Sequence, residues 1–403
     1  MENKEFKLII FSLTPEPVGY DGKTGGEVRL IEIIQRLNDS GRIESVIVST
    51  DYGAEYFRRN GIFAEFKIVR TKLKFRNLFG LCLKSLFIIA KSFFAINSGF
   101  LKSNDQRVII YSSSDLFWEV IPAFIYKVRN KRIEWVQLIM HLYPDWKKRP
   151  GRKIVSLFGY YLQKFSHFLI KKKADKIILI NSLAREDLSK RGFNPKKTYV
   201  SSVGIDFNCF DKLEKAAISY DGVFLGRLSA SKGVADFIPI WKKVCDKIPE
   251  AKLAIIGGAE RNAKADFIQK IKLSGLEKNI DVLGFLKNEK AYSILKSGKV
   301  FLFPSHEEGW GIAIAEAMAC GLPVVSWDLP GYREIFENYI FQIKENDIKL
   351  LSDSVLRLLI NEGYRKEISD KGKEFIKKYS WEEAAKRELE IIKNLRKAKV
   401  AVD

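Results

Sequence analysis

FLFPSHEEGWGIAIAEAMACGLPVV, residues 301–325, is the stretch that decides the fold. Phe301-Leu302-Phe303 is an apolar run that Pro304 stops, and 305–310 is a polar loop holding two carboxylates and a glycine. Residues 311–320 suit a helix: Ala313, Ala315, Ala317 and Ala319 favour it, and Ile312, Ile314 and Met318 offer packing. Gly321 stands where a left-handed cap ends a helix, Pro323 forbids continuation, and Val324-Val325 resumes an apolar strand. Strand, loop, helix and strand make half of a doubly wound α/β unit. Such units bind ligands where loops leave the carboxyl ends of strands.

Gly309 and Gly311 lack side chains at the mouth of this helix, so backbone N–H groups there can approach an anion. Glu308 in the loop and Glu316 in the helix, with seven residues between them, can accept hydrogen bonds from the hydroxyls of a sugar and a ribose. Taken alone, the same two residues also fit a solvated loop carboxylate and an exposed helix residue. The ordered string Glu308-Gly309-Trp310-Gly311, then Ala315-Glu316-Ala317-Met318-Ala319-Cys320-Gly321-Leu322-Pro323-Val324-Val325, resembles the hallmark of family 4 glycosyltransferases, retaining enzymes of the GT-B fold.

Composition agrees with such a fold. The 403 residues suffice for two domains, and 46% hydrophobic content supports substantial cores. The formal charge of +20 points to phosphorylated substrates, an anionic membrane or nucleic acid. Cys82, Cys209, Cys245 and Cys320 are scattered, with no CxxC and no histidine at ligand spacing, which argues against a zinc site or disulfide framework. The first residues, MENKEFKLIIFSL, carry acids and run straight into a strand, unlike a signal peptide, so a cytoplasmic protein is expected.

Along the chain, apolar runs at 6–13, 45–49, 62–69, 108–111, 133–139 and 176–180 read as strands. Helical patterns fall at 27–37, 116–128 and 152–173. Gly25-Gly26 opens the first helix after a Pro- and Gly-containing loop, but the glycines do not match the dinucleotide fingerprint. His141 follows the strand at 133–139, whereas His167 reads as ordinary helix structure. From 221 the alternation restarts, with strands at 223–226, 253–256 and 282–286 and helices expected at 234–244, 347–359 and 374–379. Ser380 has the form of a capping residue for a final helix to Lys397.

The resemblance implies two Rossmann-like doubly wound domains facing a central cleft. The acceptor-side domain is expected at 1–204, the nucleotide-sugar domain at 205–379, and a crossing helix at about 380–403 returns to the first domain. It implies a hexosyltransferase-type reaction without cofactor, the nucleotide sugar being a substrate, and because no DxD appears in the chain no catalytic metal is expected. Arg227 and Lys232 neutralise the donor diphosphate, the backbone around Phe285 and Leu286 meets the base, and Glu316 holds the ribose. Glu308 binds the donor sugar, and Gly309, Trp310, Gly311 and Ile312 complete the donor loop. Gly25 and Gly26 touch donor phosphate and acceptor, His141 stands near the reacting sugar, and Gly331 and Glu334 also match. Two positions depart from the family pattern. Leu142 follows His141 where an aspartate is usual, with Asp145 further on, and Val203 precedes Gly204 where asparagine is common.

Two other classes compete with this expectation. One is a non-catalytic nucleotide-sugar-binding subunit of a membrane glycosylation complex. The other is a nucleic-acid-binding protein, for which the chain offers charge but no recognition motif. Residues 72–102 interleave Lys72, Lys74, Arg76, Lys84, Lys91 and Lys102 with Phe79, Phe87, Phe93 and Phe94. Charge interrupts every stretch long enough to span a bilayer, so an amphipathic helix is expected, packed on its own sheet or lying on anionic lipid. A second basic set, Lys147, Lys148, Arg149, Arg152 and Lys153, precedes the helix at 152–173. The expected partners are therefore a nucleotide-diphosphate sugar, a lipid-linked or glycan acceptor and the inner face of an anionic membrane.

Overall fold

The structure, a computed structural model, describes residues 5–15, 24–41, 43–71, 73, 78–96, 107–259 and 261–394. Strand β1 (Phe6–Ser12) is buried along its whole length, as a strand covered by helices on both faces must be. Its side chains alternate between two cores. Leu8 and Ile10 pack with Leu30, Ile34 and Leu37 of the helix Gly25–Asp39. Ile9 and Phe11 pack with Ile88 of the helix Leu78–Ala95 and Val120 and Ala123 of the helix Phe117–Arg129. The period of two along the strand thus places helices on opposite faces.

Around β1 lie β2 (Ile43–Thr50), β3 (Glu65–Val69), β4 (Arg107–Ser112), β5 (Glu134–Ile139), β6 (Lys176–Leu179) and β7 (Thr198–Val200). They pair in the order β3-β2-β1-β4-β5-β6-β7, and every pairing is parallel. A second parallel sheet orders β8 (Tyr220–Leu225), β9 (Leu253–Ile256), β10 (Ile280–Gly284), β11 (Gly298–Phe303), β12 (Val324–Trp327) and β13 (Phe341–Ile343) as β10-β9-β8-β11-β12-β13. Each sheet reverses its winding once, between β1 and β4 and between β8 and β11. These are the switch points where doubly wound sheets hold ligands.

Three helices differ from the sequence expectation. The helix expected at 234–244 is preceded by two short 3-10 turns and runs Phe237–Cys245. Pro239 has no N–H to give an intrahelical bond, so it belongs in the first turn. The helix expected at 374–379 runs Glu362–Ile376, capped by the Asn361 side chain accepting from the Tyr364 N–H at 2.9 Å. Its first turns carry too few apolar residues for the periodicity to show. The amphipathic segment expected at 72–102 forms the helix Leu78–Ala95, and Lys72, Lys74, Arg76 and Lys102 lie outside the described residues.

The chain passes between the sheets twice, side by side. The Ile205 N–H donates to the Tyr379 carbonyl at 3.1 Å, and Ile205 bridges Ser380 in parallel. Ser380 caps the helix Trp381–Lys393 by accepting from the Glu383 N–H at 3.1 Å. That helix lies on Gly25–Asp39: Arg36 pairs with Glu382 and Arg29 with Glu388, each at 2.7 Å.

Candidate functional site

The loops at both switch points line one cavity of 520 Å³. From the second sheet, β8 ends at Gly226-Arg227, and the turn through Ser229 to Lys232 follows. β11 ends at Phe303, and Pro304 leads into the loop 305–310. The two turns are joined: the Ser305 hydroxyl and the His306 N–H donate to the Ser231 carbonyl at 3.0 and 2.9 Å, and Lys232 pairs with Glu308. Gly233 makes the junction possible. It sits at φ +67°, and a Cβ there would lie 1.8 Å from the Pro304 carbonyl oxygen.

Below the junction His306 Nε2 meets Asp236 at 2.9 Å and its Nδ1 meets Glu345, while the Trp327 indole donates to the same Asp236 carboxylate at 2.9 Å. The bond to Asp236 raises the imidazole pKa, burial opposes it, and Glu345 adds to the rise, so His306 favours the imidazolium. The loop is thereby held from beneath by charge-assisted bonds.

Gly311, at φ +98°, turns the loop into the helix Ile312–Ala319. Glu316 on that helix is 9% exposed rather than a solvated helix residue, and it accepts from the Tyr292 hydroxyl at 2.8 Å. Burial, with the neighbouring Glu316 charge, pushes the Tyr292 pKa well above its ordinary value, so Tyr292 remains a donor. Phe285 and Leu286, past the end of β10, line the cavity beyond Tyr292.

The opposite wall comes from the first sheet. Thr24 and Glu27 form a reciprocal capping box that opens the helix at Gly25-Gly26. The Ile312 side chain stands over Gly25, 3.2 Å from where a Cβ would lie. His141 Nε2 is 2.7 Å from Glu307 Oε1, and Arg149 Nε donates to Glu307 Oε2 at 2.7 Å. Arg149 also lies over the Tyr143 ring, 4.0 Å from its centroid. Burial alone would raise the Glu307 carboxyl, but the bonds from His141 and Arg149 outweigh it and hold it at about 2. Glu307 is therefore an ionised clasp across the cleft.

Further bonds cross the same gap. Asn181 donates to the Gly309 carbonyl at 2.9 Å, and Trp310 donates its indole N–H to the Ser202 hydroxyl at 3.0 Å. A Cβ at Gly309 would lie 2.5 Å from the Met140 carbonyl, so the closeness of the walls requires this glycine. Glu334 accepts from the N–H groups of Ser182 and Leu183 at 2.6 and 2.8 Å, which places its charge at the N-terminus of the helix Ser182–Lys190.

Gly25, Gly26, His141, Arg227, Lys232, Phe285, Leu286, Glu308, Gly309, Trp310, Gly311, Ile312 and Glu316 all line this one cavity. Asp145 does not line it. Its carboxylate accepts from the Lys147 N–H at 2.8 Å in a local turn, so it does not stand in for the missing aspartate beside His141. Arg149, grouped by sequence with a membrane-facing basic run, belongs to the cleft. Sequence reasoning passed over Glu307, Tyr143 and Tyr292. Only the doubled carboxylate at 307–308 offered a signal, and adjacency did not reveal which wall each would serve.

The model of the family described as "Glycosyl transferases group 1" matches residues 210–375, which hold all of the second sheet's strands. An uncharacterized glycosyltransferase of Methanocaldococcus jannaschii is 28% identical over 230 residues, 56% of this chain and 60% of the relative. The GPI3 subunit of the phosphatidylinositol N-acetylglucosaminyltransferase of Saccharomyces cerevisiae is 27% identical over 185 residues, 45% of this chain and 40% of that subunit. Among solved structures, Anabaena HepE in complex with UDP and glucose superposes with a TM-score of 0.74 at 16% identity, covering 96% of this chain and all (100%) of that one.

Proposed function

We propose, from the premise that the chain belongs to the glycosyltransferases of the GT-B fold, that it transfers a sugar from a nucleotide-diphosphate donor to an acceptor with retention of configuration. The observation that carries this reading is the placement of Arg227, Lys232, Glu308 and Glu316 around one cavity at the β8/β11 switch point. The barrier to transfer is expulsion of a nucleoside diphosphate while positive charge grows on the sugar ring. Arg227, Lys232 and the N–H groups at Gly311 take up the leaving charge, an electrostatic contribution that often dominates catalysis. Glu316, with Tyr292 beside it, accepts from ribose hydroxyls, and Phe285 and Leu286 flank the base. Glu308 and His141 face the sugar, and the acceptor attacks from the leaving-group side. No metal enters this scheme.

UDP, the nucleotide bound by the HepE neighbour, is the first base to test. A thermal-shift panel of sugar nucleotides should reveal the donor, since a ligand at 100 times its Kd contributes about 2.7 kcal/mol. Glu316→Gln should weaken that donor about 10-fold, the loss of one charge-assisted hydrogen bond of about 1.5 kcal/mol. A panel in which no sugar nucleotide shifts the protein would falsify the donor reading. Unchanged affinity in Glu316→Gln would remove Glu316 from the site.

We further infer a lipid-linked acceptor and a first domain resting on an anionic membrane. The helices Leu78–Ala95 and Lys153–Lys173 flank Phe117–Arg129 in one layer and contain no Asp or Glu. Their outer stripes are apolar: Phe79, Leu83, Leu86, Phe87 and Phe94 on the first, and Ile154, Phe158, Tyr161, Phe165 and Phe168 on the second, with Phe94 86% exposed. Exposed Lys91, Lys164, Lys171 and Lys172 lie on the same two helices, Lys91 and Lys171 donating to the carbonyls of Arg70 and Arg191. Lys84, on the first of them, is only 4% exposed. Contact is therefore expected to combine partial burial of aromatic side chains with about 1 kcal/mol for each basic residue at an anionic surface. No helix among the described residues is long and apolar enough to cross a membrane.

Co-sedimentation with anionic and neutral vesicles tests this reading. Wild-type protein should prefer anionic vesicles and lose part of its binding in high salt, and a Phe94→Ser/Phe168→Ser variant should lose most of it at either salt. Wild-type protein that sediments with neither vesicle type would discard the membrane and leave a soluble acceptor, and equal binding to both would discard the preference for anionic lipid.

A further inference from the structure

His141, Tyr143 and Arg149 all lie on a segment, 140–151, that has neither helix nor strand of its own. Its order comes from the helix Lys153–Lys173 beneath it. The Gln163 amide, 7% exposed, makes three bonds there. Its Nε2 donates to the His141 carbonyl at 2.8 Å and to Asp115 Oδ2 at 2.9 Å, and its Oε1 accepts from the Tyr143 N–H at 2.9 Å. These partners admit one orientation of the amide, since carbonyl and carboxylate demand the NH₂ end and the peptide N–H demands the oxygen. One turn further along the helix, His167 Nε2 is 2.8 Å from the same Asp115 oxygen, which fixes the carboxylate that Gln163 uses.

Two more contacts from this helix complete the support. Gly159 leaves room for the Tyr143 ring, whose Cε2 would lie 3.3 Å from a Cβ there. Lys153 Nζ donates to the carbonyls of Lys147 and Arg149 at 2.8 and 3.0 Å. Lys153 is exposed and replaceable by water, whereas Gln163 is buried and replaceable by nothing nearby.

We propose that Gln163 is a positioning residue for transfer: its amide grips the two peptide groups on either side of Leu142 and so sets where His141 and the Tyr143–Arg149–Glu307 clasp stand in the cleft. This rests on the reading of the cleft as a glycosyl-transfer site. The grip also explains how the segment works without the aspartate usual after the histidine. Order at His141 and Tyr143 comes from a side chain on the neighbouring helix, whereas 145–149 holds a local turn of its own.

Gln163→Met removes all three bonds at nearly constant volume. It should accelerate amide hydrogen exchange across 141–149 in the full chain and lower turnover of the donor found by the panel about 100-fold, the usual cost of misplacing a reacting group by about 1 Å. Donor affinity should stay within about twofold, because Arg227, Lys232 and Glu316 sit on the other sheet. Gln163→Glu keeps the acceptor for Tyr143 but sets a carboxylate against Asp115, and it should be worse. Adding Asp115→Asn to it supplies a donor to the new carboxylate and should slow exchange at Tyr143 again, while the His141 carbonyl, which has lost its donor, keeps turnover low, a split that a general loss of packing would not show. Wild-type exchange across 141–149 in Gln163→Met, or exchange equally fast in Gln163→Glu with and without Asp115→Asn, would overturn the proposal. If the wild type turns over no sugar nucleotide at all, the transfer reading fails and the positioning role with it, whereas normal turnover in Gln163→Met alongside wild-type donor use overturns the positioning role alone.

Discussion

Lys232→Ala is expected to lower turnover about 100-fold or more, the loss typical of removing one preorganised donor from a developing oxyanion. In the present state Lys232 pairs with Glu308, and its side chain is only 21% exposed. In the proposed reaction a diphosphate would therefore compete with Glu308 for the ammonium, which the ion pair holds at the cavity wall until then. This arrangement creates a specific ambiguity, since alanine at 232 leaves the Glu308 carboxylate facing the Ser305 hydroxyl, which donates to it at 3.1 Å. Stability then falls for a reason unrelated to catalysis.

The double variant Lys232→Ala/Glu308→Gln separates the two effects when measured against Glu308→Gln alone, since Glu308 itself faces the sugar in the proposed site. Relief of the unpaired carboxylate should recover stability, while turnover should stay about 100-fold below that of Glu308→Gln if Lys232 meets the leaving diphosphate. Recovery of both would reduce Lys232 to a partner of Glu308 and sink its assignment. Arg227→Ala offers the parallel measurement on an exposed residue of the same wall, where the folded state should be nearly unaffected. Wild-type turnover in both Arg227→Ala and the double variant would leave the diphosphate without its proposed binding groups.

Much of this architecture was legible because its signals are local. Strands buried on both faces read as apolar runs, as at Phe6–Ser12 and in the last residues of β11, and the glycine loops punctuate them. Glu308 and Glu316 share a strand–loop–helix unit, and Arg227 and Lys232 share another, so each pair could be placed without tertiary information. The clasp could not. Glu307 lies 158 residues from Arg149 and 166 from His141, and nothing in either segment marks the partner. Lys84 is hidden for a different reason. Patterning assigns charges outward, yet here the helix turns Phe87 and Phe94 to the outside and Lys84 inward. Tertiary context inverts the expected face, and that inversion is what gives the layer its apolar surface.

Glu388→Ala is expected to destabilise the protein by about 3–5 kcal/mol, the range for removing one partner of a buried ion pair. Arg29 and Glu388 have fully buried side chains, 0% exposed in both, and meet at 2.7 Å. Tyr111 donates its hydroxyl to the same carboxylate at 3.2 Å, and Arg29 Nη2 reaches the Ser201 carbonyl at 3.0 Å. Burial works against the Arg29 charge, and Glu388 more than offsets it. Because Arg29 Nε and Nη1 already lack partners, alanine at 388 leaves a guanidinium in the core with no carboxylate. The same two helices supply an internal control. Arg36–Glu382 joins them at the surface, where Glu382 is 68% exposed, and Glu382→Ala should cost at most about 1 kcal/mol. Denaturant unfolding of the two variants side by side should show this difference. Arg29→Met/Glu388→Leu should regain most of the loss, because a buried pair is costly to break but not to replace by apolar side chains of similar size. Near-equal stability of Glu388→Ala and Glu382→Ala would show that the crossing helix is held by its apolar face alone. A large gap would place the lock between that helix and the cleft helix at Arg29, one turn from Gly25 and Gly26, so that the chain's last described helix also steadies the first sheet's wall of the cleft.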